Sequence, residues 1–393
     1  MSPHNHSKTV LVYRNELLPI SETFIKEQAL ALRRWKPILV GRRLLNQLPL
    51  EGIPLRLLAS ARPTLSNKLA SEARRLAGIV PRNAIHTLSL ENAQLIHAHF
   101  GTDALDAWPI ARALKVPMIV TLHGYDIRVH REWWQQGNAG LRMRFYPRRL
   151  LQLSKHPRVG FIAVSESIRD QAVKFGIPSE KVQVRYIGID TTKFSPGPTP
   201  VSRRAPRVLF VGRLVEKKGC ACLIEAMAVV QKTVPAARLV IAGDGPLRKT
   251  LERLADLRGI QVEFLGSLPN QNVRHELDRA RLFCLPSVTA ANGDAEGLPI
   301  SILEAQASGV PVVTSARGAV GEAVKHGMNG LCFSEGDVVE LASELVTLLT
   351  DDELVDKISS ASVSSIASSF DHRMLTAELE LTYDESVRSA AIV

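Results

Sequence analysis

Short apolar runs rich in β-branched residues recur along the chain. Each is followed by a polar or glycine turn and then by a stretch with helical spacing. In the first half the runs are Thr9–Tyr13, Pro37–Val40, Leu95–Ala98, Met118–Leu122, Gly160–Val164 and Val182–Ile187. In the second half they are Arg207–Val211, Arg238–Ala242, Gln261–Leu265, Leu282–Leu285, Val310–Thr314 and Leu331–Phe333. They are apolar on both faces, as strands buried on both sides of a parallel sheet are. Helical patterns such as Cys222–Lys232, Leu247–Leu257 and Val338–Leu349 separate them. This alternation predicts an α/β protein whose parallel sheets are covered on both faces by helices. Two such runs of elements predict two Rossmann-like, doubly wound domains facing a central cleft, with ligands at the carboxyl ends of the strands.

The stretch Phe194-Ser195-Pro196-Gly197-Pro198-Thr199-Pro200 breaks the pattern, because it continues neither a helix nor a central strand. It divides the chain into a domain over 1–195, a linker over 196–206 and a domain over 207–372. The remaining 373–393 reads as a helix with no further strand. Gly243-Asp244-Gly245-Pro246 follows a strand but lacks the third glycine of a dinucleotide fingerprint.

Composition changes the picture little and charge changes it more. With 393 residues, 45% hydrophobic and 22% charged, the chain buries a sizeable core and is not disordered. Four cysteines are too few for a disulfide framework, and their spacing fits no zinc pattern, so reduced thiols and a cytoplasmic setting are expected. The first residues carry no apolar core of a signal peptide, and no apolar run is long enough to span a bilayer. The net charge is +10, unevenly spread: residues 1–195 hold 29 Lys+Arg against 14 Asp+Glu, and residues 196–393 hold 20 against 25. A basic half implies an anionic partner, whether nucleic acid, an anionic membrane or a phosphorylated substrate. Nucleic acid is set aside, since aromatic residues are only 5% and no known binding motif is present.

The chemistry concentrates in three places. Glu296-Gly297-Leu298-Pro299-Ile300-Ser301-Ile302-Leu303-Glu304 sets two carboxylates around a glycine turn and a helix start. Pro299 suits the first helical position, and the amides after it suit an anion or diphosphate. The competing reading is two solvated glutamates beside an ordinary helix. Gly212-Arg213-Leu214-Val215-Glu216-Lys217-Lys218-Gly219 follows the first strand of the second half. There Arg213 and Lys218 suit phosphate oxygens, against the plainer reading of a solvated basic loop. Thr121-Leu122-His123-Gly124-Tyr125-Asp126 ends a strand of the first half, with His123 the candidate. His97 and His99, two apart on a strand, read as structural rather than metal ligands, since no third ligand is apparent.

Taken in order, these boxes resemble the family-4 retaining glycosyltransferases of the GT-B fold, of the type that builds bacterial capsule, exopolysaccharide and lipopolysaccharide. The resemblance spans nearly the whole chain. It runs through Ser21-Glu22-Thr23-Phe24-Ile25, His97-Ala98-His99-Phe100-Gly101, His123-Gly124-Tyr125-Asp126, Ser165-Glu166-Ser167, Tyr186-Ile187-Gly188-Ile189-Asp190, the Gly212–Gly219 box, Gly243-Asp244-Gly245-Pro246 and the glutamate pair. It implies transfer of a sugar, with retention and without metal or other cofactor, from a nucleotide-diphosphate sugar to a glycan or lipid-linked acceptor. It also implies roles. Arg213 and Lys218 hold the diphosphate, Glu296 the donor sugar and Glu304 the ribose. His123 reaches the donor sugar from the acceptor-side first domain. Gly266 and Leu268 meet the base, Gly297, Leu298 and Pro299 lie on the donor side, and the last helix crosses back to the first domain.

Two places depart from the family. Where many members carry a Gly-Gly loop after the first strand, this chain reads Asn15-Glu16-Leu17-Leu18-Pro19-Ile20-Ser21, so Ser21 and Thr23 are only candidates for that region. Gly318-Ala319-Val320-Gly321-Glu322 stands where relatives often have Gly-Gly-x-Pro-Glu. A sugar-nucleotide epimerase on a similar fold is the alternative enzyme. Two basic stretches, 56–82 and 128–150, suit an anionic membrane surface. The second interleaves Arg128, Arg131, Arg142, Arg144, Arg148 and Arg149 with Trp133, Trp134, Phe145 and Tyr146. This predicts a protein peripheral to the inner face of the plasma membrane, against the plainer reading of a solvated helix pair with its aromatics in the core.

Overall fold

The structure is a computed structural model that describes residues 8–19, 22–45, 48–58, 72–315 and 318–392. The chain divides into two compact units, Met1–Ile187 with Arg373–Val393, and Gly188–His372.

The first unit is built on seven parallel strands: β1 (Lys8–Tyr13), β3 (Trp35–Gly41), β5 (Leu55–Leu57), β6 (Leu95–His99), β7 (Met118–Leu122), β8 (Val159–Ala163) and β9 (Val182–Val184). Their order is β5-β3-β1-β6-β7-β8-β9. Two-residue strands β2 (Glu16–Leu17) and β4 (Arg43–Leu44) pair separately. The apolar runs are central strands because both faces are covered: Val10, Leu39, Ile96, Val120 and Ile162 are all buried. The edge strand Leu55–Leu57 was not among the expected elements. Its three residues pair with β3 through the main chain and leave too short an apolar pattern to read. The helix His372–Ile392 belongs almost wholly to this unit. Its Glu380 carboxylate accepts the N–H groups of Arg33, Arg34 and Trp35 at 2.9, 2.6 and 3.1 Å, and its Tyr383 is buried beside Trp35.

The second unit repeats the plan with six parallel strands: β10 (Arg207–Val211), β11 (Arg238–Ala242), β12 (Val262–Gly266), β13 (Leu282–Leu285), β14 (Val312–Ser315) and β15 (Leu331–Phe333). Their order is β12-β11-β10-β13-β14-β15. The proline-rich stretch is not a free spacer. Arg204 is buried in the second unit, where its guanidinium donates to the carbonyls of Thr199, Leu277 and Ala280 at 2.9–3.0 Å. All four cysteines are free thiols, with burial pushing Cys220 up to about 12.

Both sheets share one logic. The chain lays strands outward from the first one, then returns to its other side with the fourth. The order reverses between those two adjacent strands, and sheets of this kind bind ligands in the crevice at their carboxyl ends. The crevice lies between β1 and β6 in the first unit and between β10 and β13 in the second.

Candidate active site

In the second unit, the loops after β10 and β13 are locked together at this point. Gly219 sits in the left-handed region at φ +64°, and a Cβ there would lie 1.7 Å from the Pro286 carbonyl oxygen, so only glycine fits. The Val288 N–H donates to the Lys217 carbonyl at 2.8 Å, and the Ala291 N–H to the Glu216 carboxylate at 3.0 Å. Two consecutive lysines then reach two carboxylates: Lys217 Nζ lies 3.1 Å from Asp294, and Lys218 Nζ lies 3.0 Å from Glu296 Oε1. Burial raises the Asp294 carboxyl above its usual range against the pull of Lys217. The loop after β11 closes the third side, where a Cβ on Gly243 would fall 1.9 Å from the Gly212 carbonyl oxygen.

Arg213 is exposed on this edge, and its guanidinium makes no hydrogen bond or ion pair among the described residues. Behind the pair of loops runs the helix Ile300–Ala307. Pro299 is its N-cap with extended backbone rather than the expected first helical residue, so the helix starts one position later, and the Pro299 carbonyl accepts the Ile302 N–H at 3.1 Å. Gly297 and Leu298 are buried before it, and Glu304 is buried on the helix. Gly266 ends β12 at φ +72°, with Leu268 half-buried in the loop that follows.

In the first unit the corresponding edge is organised by Asp126. Its buried carboxylate accepts the Gly101 N–H at 2.8 Å, the Gly124 N–H at 2.9 Å and the His123 N–H at 3.1 Å. One side chain thus joins the turn after β7 to the N-terminus of the helix Gly101–Leu114. The Tyr146 hydroxyl donates to the Asp126 carbonyl at 2.6 Å. Burial raises the Asp126 carboxyl to about 6, although the backbone donors pull it the other way. The His123 ring lies between Phe100 and Phe24, with centroids at 4.4 and 5.2 Å. Burial, then the charge of Arg14, holds it neutral, with its pKa well below the ordinary histidine value. Arg14 itself is occupied, bonded to Glu22 at 2.8 and 2.9 Å and to Asp103 at 2.6 Å. Asn15, which follows β1 where the sequence departs from a Gly-Gly loop, donates to Asp103 and Asp106 at 2.8 Å.

With that geometry in place, known proteins resolve the family. Residues 26–193 match the family described as Glycosyltransferase Family 4, and residues 194–363 the family described as glycosyl transferases group 1. Over 293 residues the chain is 30% identical to the putative colanic acid biosynthesis glycosyltransferase WcaL of Escherichia coli K12, covering 73% of this chain and 69% of that protein. The chain is a family-4 glycosyltransferase. It is also 32% identical to the amylovoran biosynthesis glycosyltransferase AmsK of Erwinia amylovora over 262 residues, 65% of this chain and 61% of that one. Its fold is GT-B. The structure of Anabaena HepE in complex with UDP and glucose superposes with a TM-score of 0.77 over 96% of this chain and all of that one, at 20% identity. Sucrose-phosphate synthase from Thermosynechococcus elongatus gives 0.75 over 96% and 98%, at 16% identity.

In this glycosyltransferase, Arg213, Lys218, Glu296, Gly297, Leu298, Pro299, Glu304, Gly266 and Leu268 all belong to the second unit, while His123 and Thr23 belong to the first. Lys218 and Glu296 touch; Thr23 opens the helix Thr23–Ala31, and Ser21 lies outside the described residues. Sequence reasoning missed Glu216, Lys217 and Asp294, which tie the loops. Asp126 is a further functional residue with a local signal, since an Asp three residues after His123 is the spacing of a side chain that caps its own turn. In the basic aromatic segment, Trp134 and Tyr146 are core residues, because the helical faces that carry them turn inward. Arg142 is paired with Asp106 at 3.1 Å rather than open to solvent. Phe145 and Leu141 remain 62% and 78% exposed. Among the described residues no helix is long and apolar enough to cross a membrane.

Proposed function

We propose that this glycosyltransferase moves a sugar, with retention and without a metal, from a nucleotide-diphosphate sugar to a glycan or lipid-linked acceptor in bacterial surface polysaccharide assembly. The observation that carries the reading is the meeting of Lys218 with Glu296 beside the open guanidinium of Arg213, ahead of a helix start. A diphosphate takes the place of the Glu296 carboxylate on Lys218 and draws Arg213 to its other oxygens. Glu296 is then released to accept hydrogen bonds from sugar hydroxyls. The two cations stabilise the charge that develops as the diphosphate leaves. Glu304 holds the ribose, and Gly266 with Leu268 meets the base. Gly297, Leu298 and Pro299 present the helix end, and His123 contacts the sugar. The names of WcaL and AmsK support the polysaccharide assignment, and the UDP and glucose in HepE support the donor class.

The test is a panel of nucleotide sugars. A true donor raises the melting temperature as ligands of the native state do. With an acceptor present it yields a glycoside of unchanged anomeric configuration, and activity survives a chelator. Conversion of the nucleotide sugar without any acceptor would instead favour an epimerase. Exposed Leu141, Phe145, Arg144 and Arg148 support a peripheral contact of the 128–150 segment with anionic lipid on the cytoplasmic face of the membrane. Binding to anionic vesicles should weaken steeply with salt.

A further inference from the structure

The first unit contains a contact between two histidines that the roles above leave unused. His123 Nε2 lies 3.1 Å from His99 Nδ1, and the rings are nearly parallel at 27° with centroids 5.3 Å apart. His99 closes strand β6 and is buried against His97, centroid to centroid 4.4 Å. His97 is fully committed: its Nδ1 is 2.6 Å from the Tyr383 hydroxyl and its Nε2 is 2.6 Å from the Thr121 hydroxyl. Tyr383 stands edge-on to both His97 and Trp35. A continuous column of rings, Trp35, Tyr383, His97, His99 and His123, therefore runs from the packed core to the end of β7. With Phe24 and Phe100 on its other sides, the His123 ring is held in one orientation.

A neutral imidazole carries a single proton, and the partner of one nitrogen decides which nitrogen bears it. Burial lowers both His99 and His123 well below the ordinary value, so the bond joins two neutral rings, one donating and one accepting. Once Nε2 of His123 is engaged, Nδ1 is the ring atom left for a substrate. Whichever ring donates, this bond couples the protons of the two rings.

We propose that His99 is a positioning residue for His123: its hydrogen bond commits Nε2, selects one tautomer and reserves Nδ1 for a hydroxyl of the bound sugar. This rests on the reading that His123 contacts the donor sugar. The experiment uses full-length protein labelled with 15N-histidine, with the His123 signals assigned by their loss in His123→Gln. Two-bond proton–nitrogen correlations report which ring nitrogen carries the proton. The wild type should show one tautomer. His99→Phe keeps a ring in the column but removes the bond, and His99→Gln moves its amide away from the Nδ1 position; both should give a mixed or switched tautomer. His99→Asn, whose amide lies where Nδ1 was, should restore the wild-type signal. With UDP-glucose and GDP-mannose as donors, kcat should fall about 10-fold to 100-fold in the Phe and Gln variants, with KM little changed, and recover in Asn. An unchanged tautomer in both the Phe and Gln variants overturns the proposal. So does a switched tautomer with wild-type turnover while His123→Gln is impaired. If His123→Gln itself turns over normally, the role of His123 is what fails, and the proposal falls with it.

Discussion

The two sheets reverse at the same place in their topology and furnish it in opposite ways. At β10 and β13, charges face charges across two loops: Lys217 with Asp294, Lys218 with Glu296, and Arg213 exposed beside them. At the ends of β1, β6 and β7, polar groups are largely buried and already satisfied: Asp126 by backbone N–H groups, Arg14 by two carboxylates, and His123 by a neutral ring. The Lys218–Glu296 pair is no more exposed than Arg14 with its carboxylates, so what sets this edge apart is the exposed Arg213, unpaired among the described residues: an incoming phosphate meets one cation without a partner and replaces a carboxylate on another with no net loss of charge pairing. A buried hydrogen-bonded group does not exchange so cheaply, because leaving one partner unmade costs about 1–3 kcal/mol. One edge is built to trade partners and the other to hold a geometry.

The sharpest way to break that contrast is to remove the tradeable cations. On the proposed roles, Arg213→Ala and Lys218→Ala should each lower turnover about 100-fold or more, as loss of an aligned electrostatic donor does. Arg213→Ala should at the same time leave unfolding stability within about 0.5 kcal/mol, since its side chain is exposed. Steady-state kinetics beside denaturant melts measure both. Near-normal turnover in both variants would place the leaving-group chemistry elsewhere.

The held edge has its own signature in pH. The Asp126 carboxyl is raised from 3.8 to about 6 by burial, so folding favours its protonated form. A group shifted upward in this way contributes its stability fully below pH 3.8 and loses it as pH rises through about 6, to the extent of about 3 kcal/mol. The stability gap between wild type and Asp126→Asn should therefore move against the wild type between pH 4 and 7. Activity should move the other way, because the ionised carboxylate accepts the N–H groups that place His123. Paired melts and kcat/KM profiles across that range test it, and a gap that grows in favour of the wild type would reverse the argument.

How much of this was legible in the sequence follows from range. The central strands declared themselves, because burial on both faces demands continuous apolar runs such as Val208–Phe210. The helix after Pro299 was legible to within one residue, since proline fixes φ equally well at the cap and at the first turn. Lys218 and Glu296 were each singled out, but their contact was not, for nothing local links positions so far apart. Asp294 was passed over for the same reason. Trp134 and Tyr146 were offered to a membrane because arginines surround them, yet burial of a helical residue depends on its face and not on its neighbours in sequence.

The smallest expected effect probes the tie between Lys217 and Asp294, which sits beside the exchangeable pair without belonging to it. Both side chains are only partly exposed, and the 3.1 Å contact is backed by the Val288 N–H on the Lys217 carbonyl. Removing either charge strands the other, so Lys217→Met and Asp294→Asn should each destabilise the protein. The double variant should cost less than their sum, a coupling of about 1 kcal/mol. The contribution to function is separable. If this bridge only fastens the loop after β13 to the loop after β10, the single variants should weaken donor binding through misplaced Lys218 and Glu296, and the charge-reversed pair Lys217→Asp with Asp294→Lys should recover part of it. A double-mutant cycle read by denaturant unfolding and by donor titration distinguishes the two. Additive stabilities would mean that the bridge carries no energy. A wild-type donor affinity in both single variants would mean that Lys218 and Glu296 keep their places without it.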